Sequence, residues 1–122
     1  MVKDLPVVFS ALSDRTRFQV VASLRARELS AGELASRCAV SAPAMSRHLR
    51  VLRKAGMIEL AQSTNADDAR LRVYRLRARP FLSLAEWAEH MQGVWADRLE
   101  GFKTYADTRA AASRKLQRGR QK

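Results

Sequence analysis

Apolar residues recur every three or four positions through the first half of the chain, the spacing of one face of an α-helix. The pattern predicts a short helix beginning at Leu5–Pro6, a helix capped by Ser13 or Asp14, a short helix from Ala31 to about Cys38, and a helix capped by Ser41 that ends near Ala55. Ser30 and Glu33 have the spacing of a capping box, and Gly56 suits the left-handed conformation that follows a helix end. The second helix is expected to bury Phe18, Val21, Ala22 and Leu24.

The pattern changes after Gly56, where apolar and polar residues begin to alternate. Residues 57–61 and 71–77 are predicted to form two strands around the polar segment 63–69, which makes a hairpin. Leu71 and Val73, with Tyr74 and Leu76 beside them, are expected to contribute to a core. Pro80 ends the second strand, and a long helix is predicted from about residue 82 to 112. Residues 113–122 offer almost nothing to bury, so we expect them to be frayed or disordered.

This order of elements is the plan of a winged helix-turn-helix, a mainly α fold with a β-hairpin wing in the order α-α-α-α-β-β-α. In that plan the short helix braces the next helix, which presents its polar face to the DNA major groove. Residues 1–107 are predicted to form one DNA-binding and dimerisation domain that pairs through its terminal helices. Residues 108–122 are predicted to form a basic, flexible tail.

The helix predicted after Ser41 has two chemically different faces. Its inward face consists of Ala42, Met45, Leu49 and Leu52. Its outward face consists of Pro43, Ser46, Arg47 and Arg50, with His48 and Val51 on the flanks. Small residues let a helix approach the bases closely, and Ser46 and Arg47 can hydrogen-bond base edges, with guanine the best partner for arginine. The cap at Ser41 suits a phosphate.

The net charge supports a polyanionic partner. The 122 residues include 23 Lys and Arg against 12 Asp and Glu, a formal net charge of +11. Two runs, residues 70–79 and 109–122, contain basic residues and no acid. Such a field favours nucleic acid first and an anionic membrane surface second. No apolar run approaches the length of a membrane span, and the single cysteine, Cys38, excludes an intrachain disulfide and a multi-cysteine zinc site.

Three segments resemble the ArsR/SmtB family of bacterial transcriptional regulators. They are LSDRTRFQVVASL (12–24), ELASRCAVSAPAMSRHLRVLRKAGMIEL (33–60) and ARLRVYRLR (69–77). The resemblance implies a cytoplasmic homodimeric repressor that binds a palindromic operator and is released by an inducer. It also assigns DNA-contacting positions to Ala42, Pro43, Ser46, Arg47 and Arg70. Residues 28–34 contain no cysteine where metal-sensing members have a Cys-x-Cys pair, so we expect no metal site there and no cofactor.

Combining the helix face with the family positions gives a predicted interface with double-stranded DNA. The predicted DNA-binding residues are Ser41, Ala42, Pro43, Ser46, Arg47, His48, Arg50, Arg70 and Arg72. We expect Arg70 and Arg72 to reach the DNA while the acidic loop tip, Asp67-Asp68, points away from the phosphates. The predicted dimer interface consists of Phe9, Trp87, Met91, Trp95 and Leu99.

Several features have a plainer interpretation beside a functional one. Cys38 is expected to be a small buried hydrophobe rather than a redox switch. Glu86 and His90 have the spacing of a solvated helical pair, although with Asp97 they could hold a metal. The aromatic residues of the last helix could line an effector pocket instead of an interface. No catalytic set is evident, so we expect no enzyme activity. The alternative function is a small basic RNA-binding or assembly protein.

Overall fold

The computed structural model describes residues 5–61 and 67–120, with side chains up to residue 116. Its elements follow the predicted winged helix-turn-helix order, with one additional strand and one 3₁₀ turn. They are α1 (Leu5–Leu12), α2 (Arg15–Ala26), β1 (Leu29–Ser30), α3 (Ala31–Cys38), α4 (Ala42–Lys54), β2 (Ile58–Leu60), the 3₁₀ turn Ala69–Leu71, β3 (Val73–Leu76) and α5 (Ala78–Arg120). Among the described helices, none combines the length and apolar character needed to cross a membrane.

Side-chain caps fix the starts of the helices that build the helix-turn-helix. Asp14, rather than Ser13, caps α2 by accepting a hydrogen bond from a backbone N–H of the first turn. Ser30 and Glu33 form the predicted capping box at α3, with both side chain–backbone distances at 3.1 Å. Ser41 caps α4 in the same way as Asp14 caps α2. These bonds satisfy amides that a helix leaves unpaired, so the boundaries follow from local sequence.

The turn between α3 and α4 depends on an alanine in an unusual conformation. Ala39 has φ 55°, in the left-handed region that glycine adopts more easily. Its N–H and that of Val40 donate to carbonyls of the last turn of α3. Gly56, which follows α4, has φ 75° and confirms the predicted helix end. Ala39 therefore sets the direction in which the chain enters α4.

The sheet has three antiparallel strands in the order β1-β3-β2. The sequence predicted only the hairpin of β2 and β3, because the two residues of β1 are too few to show alternation. Leu29 of β1 pairs with Tyr74, and Leu60 of β2 pairs with the same residue from the other side. The second strand is shorter than predicted, since residues 69–71 form the 3₁₀ turn. Leu71 is 63% exposed there and contributes nothing to the core.

The core lies where α1, α2, α3 and α4 meet the sheet. Its buried residues are Leu5, Val8, Ala11, Val20, Leu24, Leu29, Leu34, Ala35, Met45, Leu49, Leu52, Met57, Ile58, Ala61 and Tyr74. The predicted inward face of α4 is confirmed except for Ala42, which is exposed at the first turn. The predicted face of α2 is confirmed at Leu24, which is buried, and in part at Val21, which is half-buried. It was wrong at Phe18, which is 60% exposed, and at Ala22, which is also exposed, because α2 turns Val20 into the core instead.

The last helix, α5, is longer than predicted at both ends. It begins at Ala78, with Pro80 in its first turn, where a residue without an N–H is tolerated. It continues to Arg120, so residues 113–120 are helical where fraying was predicted. The chain forms two units, one up to Ala85 and one from Glu86 onward. The predicted division at residue 107 into a domain and a flexible tail stays a prediction.

Replacing Ala39 by glycine should stabilise the protein. Glycine adopts the left-handed conformation without a Cβ clash, and part of this gain is offset by the greater freedom of glycine in the unfolded chain. We expect the free energy of unfolding to rise by about 0.5–1 kcal/mol in urea titrations. The control is Ala22→Gly in the middle of α2, which should lower the same quantity by about 1 kcal/mol. Equal destabilisation by both changes would show that the turn is unstrained.

Candidate nucleic-acid interface

The outward face of α4 carries most of the predicted DNA-binding residues. Six of them are exposed together at the start and along one side of the helix: Ser41, Ala42, Pro43, Ser46, Arg47 and Arg50. The Ser41 Oγ accepts the N–H of Ala44 at 3.2 Å. The opposite side of α4 is buried, so the helix is fixed by one face and presents the other. This arrangement matches a helix that enters a DNA groove.

His48 occupies a different environment from the other predicted DNA-binding residues. Its side chain is 21% exposed and lies against α2. The His48 Nδ1 is 3.8 Å from the Asp14 carboxylate and 3.4 Å from a guanidinium nitrogen of Arg17. Arg17 in turn donates through Nε to the carbonyl of Ala11 at 2.7 Å. His48 thus belongs to a polar network that joins α1, α2 and α4, a role the sequence did not reveal.

The cap at Asp14 is electrostatically reinforced by this network. The backbone N–H of Arg17 donates to the Asp14 carboxylate at 3.0 Å and lowers the pKa of that carboxyl group. Burial of the carboxyl group opposes this shift and is the second-largest influence, while the nearby charges of His48 and Arg17 lower the pKa further. One carboxylate therefore both starts α2 and faces α4.

The wing contains an ion pair that the expected layout of its tip did not include. The Arg70 guanidinium donates to both carboxylate oxygens of Asp68, at 3.3 and 2.9 Å, and the Arg70 N–H donates at 3.0 Å. We expected Asp68 to point away while Arg70 reached the DNA, but the two side chains are bound to each other. The hydrogen bonds from the Arg70 side chain hold the pKa of Asp68 below its usual value. Because Asp68 and Arg70 are only two residues apart in the chain, contact between their side chains is favoured over separation.

Two further arginines of the 70–79 run, Arg75 and Arg77, are partly neutralised beside the sheet. Arg75 lies opposite Glu59 in the strand register and donates to it at 3.0 Å. Arg75 also lies 3.9 Å from Glu28, and Arg77 lies 3.7 Å from Glu59. Much of this basic run therefore stabilises the wing by cross-strand pairing rather than forming an open basic surface.

A basic cleft lies between α4 and β3. Its volume is about 450 Å³, and its polar lining consists of Ser46, Arg50, Arg53, Lys54 and Arg72. None of the described residues that line it is acidic. Arg72, predicted as a wing contact, is half-buried in this cleft beside the helix residues. Sequence reasoning missed Arg53 and Lys54, although their helical spacing from Arg50 placed them within reach of the same side.

The N-terminus of α3 holds the wing close to the helix-turn-helix. The Ala31 N–H donates to the Arg72 carbonyl at 2.9 Å. A Cβ at Gly32 would lie 3.3 Å from the carbonyl oxygen of Arg70, a tight contact with backbone. The absence of a side chain at Gly32 therefore allows the 3₁₀ turn to pack against α3.

The other candidate sites are Cys38 and the pair Glu86 and His90, which lie in different environments. Cys38 is half-buried, and burial raises the pKa of its thiol, which opposes a reactive thiolate. Glu86 and His90 are exposed on α5. Within residues 5–61 and 67–120, no three His, Cys, Asp or Glu side chains gather as a metal site.

Four of the predicted dimer residues lie in one apolar stripe along α5, and the fifth is on α1. Trp87, Trp95 and Leu99 are exposed on α5, Met91 is half-buried, and Phe9 is exposed on α1. Phe102 and Tyr105 are exposed further along α5 and extend the stripe. The Arg98 guanidinium lies 5.6 Å from the centre of the Trp95 ring. Large apolar side chains in a row on one helix are typical of a surface that packs against another element.

Sequence comparison assigns the helix-turn-helix to a known class. The profile of a helix-turn-helix domain matches residues 12–61. The chain is 32% identical over 100 residues to the HTH-type transcriptional regulator Rv2034 of Mycobacterium tuberculosis, covering 82% of this chain and 86% of that protein. It is 37% identical over 51 residues to the transcriptional repressor SdpR of Bacillus subtilis, covering 42% of this chain and 57% of SdpR. The chain spans between 39% and 57% of three curated relatives that match over the shorter segment.

Structural comparison extends the likeness beyond the helix-turn-helix. The solved structure of an ArsR-like transcriptional regulator from Rhodococcus sp. RHA1 has a TM-score of 0.69 and 30% identity. That match covers 87% of this chain and 93% of the other. The match to Rv2034 at 32% identity covers most of both chains. The structural match to the Rhodococcus regulator covers a similar share of this chain. The chain therefore belongs to the ArsR family of helix-turn-helix transcriptional regulators.

Proposed function

We propose that the protein is a homodimeric repressor that binds a palindromic operator in double-stranded DNA through α4 and the wing. The observation that carries this proposal is the exposed face of α4, which presents Ser46, Arg47 and Arg50 while the opposite face is buried. A helix held in this way can read base edges in the major groove, where the four base pairs differ in their donors and acceptors. SdpR, to which part of this chain is similar, is a transcriptional repressor, which supports this direction of regulation.

The proposed DNA contacts divide into base reading and phosphate binding. Ser46 and Arg47 read base edges, while Ala42 and Pro43 allow a close approach at the first turn. The cleft cations Arg50, Arg53, Lys54 and Arg72 bind phosphates, which fixes the position of α4 without selecting a sequence. Since phosphate contacts release counterions, operator affinity should fall as salt increases.

The proposed dimer pairs two copies through the exposed stripe of α5. From Trp87 to Tyr105 the stripe is roughly 27 Å long at the usual rise of a helix. A symmetric pair would place two α4 helices to read half-sites about 34 Å apart, one turn of DNA. Occupation of an operator by such a dimer blocks other proteins from the same DNA, which is repression without enzyme activity.

The RNA-binding alternative has less support. Proteins that read single-stranded RNA on a sheet use exposed aromatic residues for stacking. Tyr74, the aromatic residue in the strands of this sheet, is buried in the core. Competition between duplex DNA and structured RNA separates the two functions, and preference for RNA would contradict the repressor.

Replacing Arg47 by alanine should weaken and broaden DNA recognition. We expect a loss of about 1–3 kcal/mol in binding to an operator selected from random duplex DNA, and weaker discrimination at one base pair in each half-site. Fluorescence anisotropy with the operator and single-base variants measures both effects. A reporter promoter that overlaps the operator should be derepressed by the same variant.

The matched control for this test is Arg109→Ala on α5. It removes the same charge from an exposed arginine outside α4 and the wing. We expect a small and sequence-independent loss of affinity from this control. Unchanged operator affinity in Arg47→Ala would show that the proposed reading face is wrong.

Replacing Asp68 by asparagine should increase affinity for any duplex. The change retains a capping oxygen but removes the carboxylate that binds Arg70, so the guanidinium becomes available to phosphate. Asp67→Asn is the control, because Asp67 is exposed and makes no hydrogen bond or ion pair with a described residue. We expect Asp68→Asn to raise affinity about threefold more than Asp67→Asn in low salt. Equal effects would mean that Arg70 does not contact DNA.

Replacing Trp95 by aspartate should separate the dimer. A charge on the apolar stripe must be buried when two copies pair, which opposes association. We expect the dimer dissociation constant to rise at least about tenfold in sedimentation equilibrium. Ala96→Asp introduces the same charge at the next exposed position of α5, off the stripe, and should leave association almost unchanged. A dimer that tolerates Trp95→Asp would exclude this stripe as its interface.

A further inference from the structure

An apolar groove lies among α2, the end of β3 and the first turn of α5. Its volume is about 580 Å³. Its principal lining residues are Phe18, Val21, Leu76 and Phe81, together with Arg25 and Arg77. Surface clefts of this size are typical of sites that hold small organic molecules. No residue of the proposed DNA interface lines the groove.

The floor of the apolar groove belongs to the packed core. Val21, Leu76 and Phe81 are partly buried and contact core side chains, so their positions are fixed by the fold. Phe18 differs because it is 60% exposed, although it lies on α2, the helix that buries Val20 and Leu24. The groove thus combines a rigid apolar floor with an aromatic ring that remains available for contact.

The charge of the apolar groove is positive. Arg25 is exposed and makes no ion pair with a described residue. Arg77 is half-exposed and is only partly neutralised by Glu59 at 3.7 Å. Among the described residues that line the groove, none is acidic. An organic cation would therefore be repelled, while a carboxylate could accept charge-assisted hydrogen bonds from a guanidinium.

We propose that the apolar groove binds a small organic carboxylate with an aromatic body. The aromatic body would pack on the floor beside Phe18, and the carboxylate would bind Arg25 with help from Arg77. Both halves of this ligand are needed, because an apolar body alone does not use the arginines and an anion alone does not use the floor. The site is separate from DNA binding, so its test requires no operator.

The direct test titrates the full-length protein with 2-naphthoate and follows backbone amide shifts by NMR. We expect saturable changes that cluster on α2, β3 and the start of α5. The neutral probe 2-naphthamide has the same ring system and nearly the same size without the charge, and should bind at least about fivefold more weakly. Equal affinity for the two probes, or no saturable binding of 2-naphthoate, would overturn the proposal.

Two substitutions locate the binding within the groove. Phe18→Ser removes the exposed aromatic wall, and Arg25→Gln removes the charge without shortening the side chain greatly. Each should weaken 2-naphthoate at least about fivefold. The matched controls are Val7→Ser, an exposed apolar residue on α1, and Arg15→Gln at the start of α2. Neither control residue lines the groove, and equal weakening by a control would overturn the assignment.

A second copy of the chain is the competing occupant of the groove. Sedimentation equilibrium of Phe18→Ser separates this case from a ligand site. The proposal expects the same association state as the unmodified protein. Dissociation of the variant would identify the groove as an interface between copies and overturn the ligand site. Circular dichroism melting checks that both variants are folded before either measurement is interpreted.

Discussion

Three buried side chains of α4, Met45, Leu49 and Leu52, hold the helix whose other face is exposed. Each is at most 2% accessible, and they pack with residues of α1, α2, α3 and the sheet in one core. Truncating a buried leucine typically costs about 2–5 kcal/mol, against a total stability of about 5–15 kcal/mol for a small domain. The orientation of α4 therefore depends on the same burial that keeps the domain folded.

Polar contacts add to this burial by fixing where helices start and by joining α4 to α2. Caps at Asp14, Ser30 and Ser41 fix where helices start, and the His48 network ties α4 to α2 through hydrogen bonds. Acidic partners in the wing neutralise part of its positive charge, while no described residue that lines the cleft beside α4 is acidic. The net charge of +11 is therefore unevenly compensated by acidic residues. Within the described wing and α4, the basic residues with the fewest acidic partners lie beside the outward face of α4.

Local sequence predicted the features that depend on neighbouring residues. The capping box of α3, the end of α4 before Gly56 and the two faces of α4 all arise within a few positions, so their patterns were readable. Contacts between distant segments were not readable. Strand β1 exists because Leu29 meets Tyr74, and the His48 network joins residues 31 positions apart. The Asp68–Arg70 pair was near in sequence but depended on the 3₁₀ turn Ala69–Leu71, which the sequence did not predict.

No side chain of α4 belongs to both its exposed face and its buried face. This separation affects how such a protein can change during evolution. Substitutions at exposed positions away from special features usually alter stability by no more than about 0.5 kcal/mol. Pro43, Ser46 and Arg47 are exposed, while the packing of the helix rests on Met45, Leu49 and Leu52. After gene duplication, one copy can acquire a new target by single exposed changes while its fold is retained. Divergence of recognition is then limited by loss of the old target rather than by unfolding.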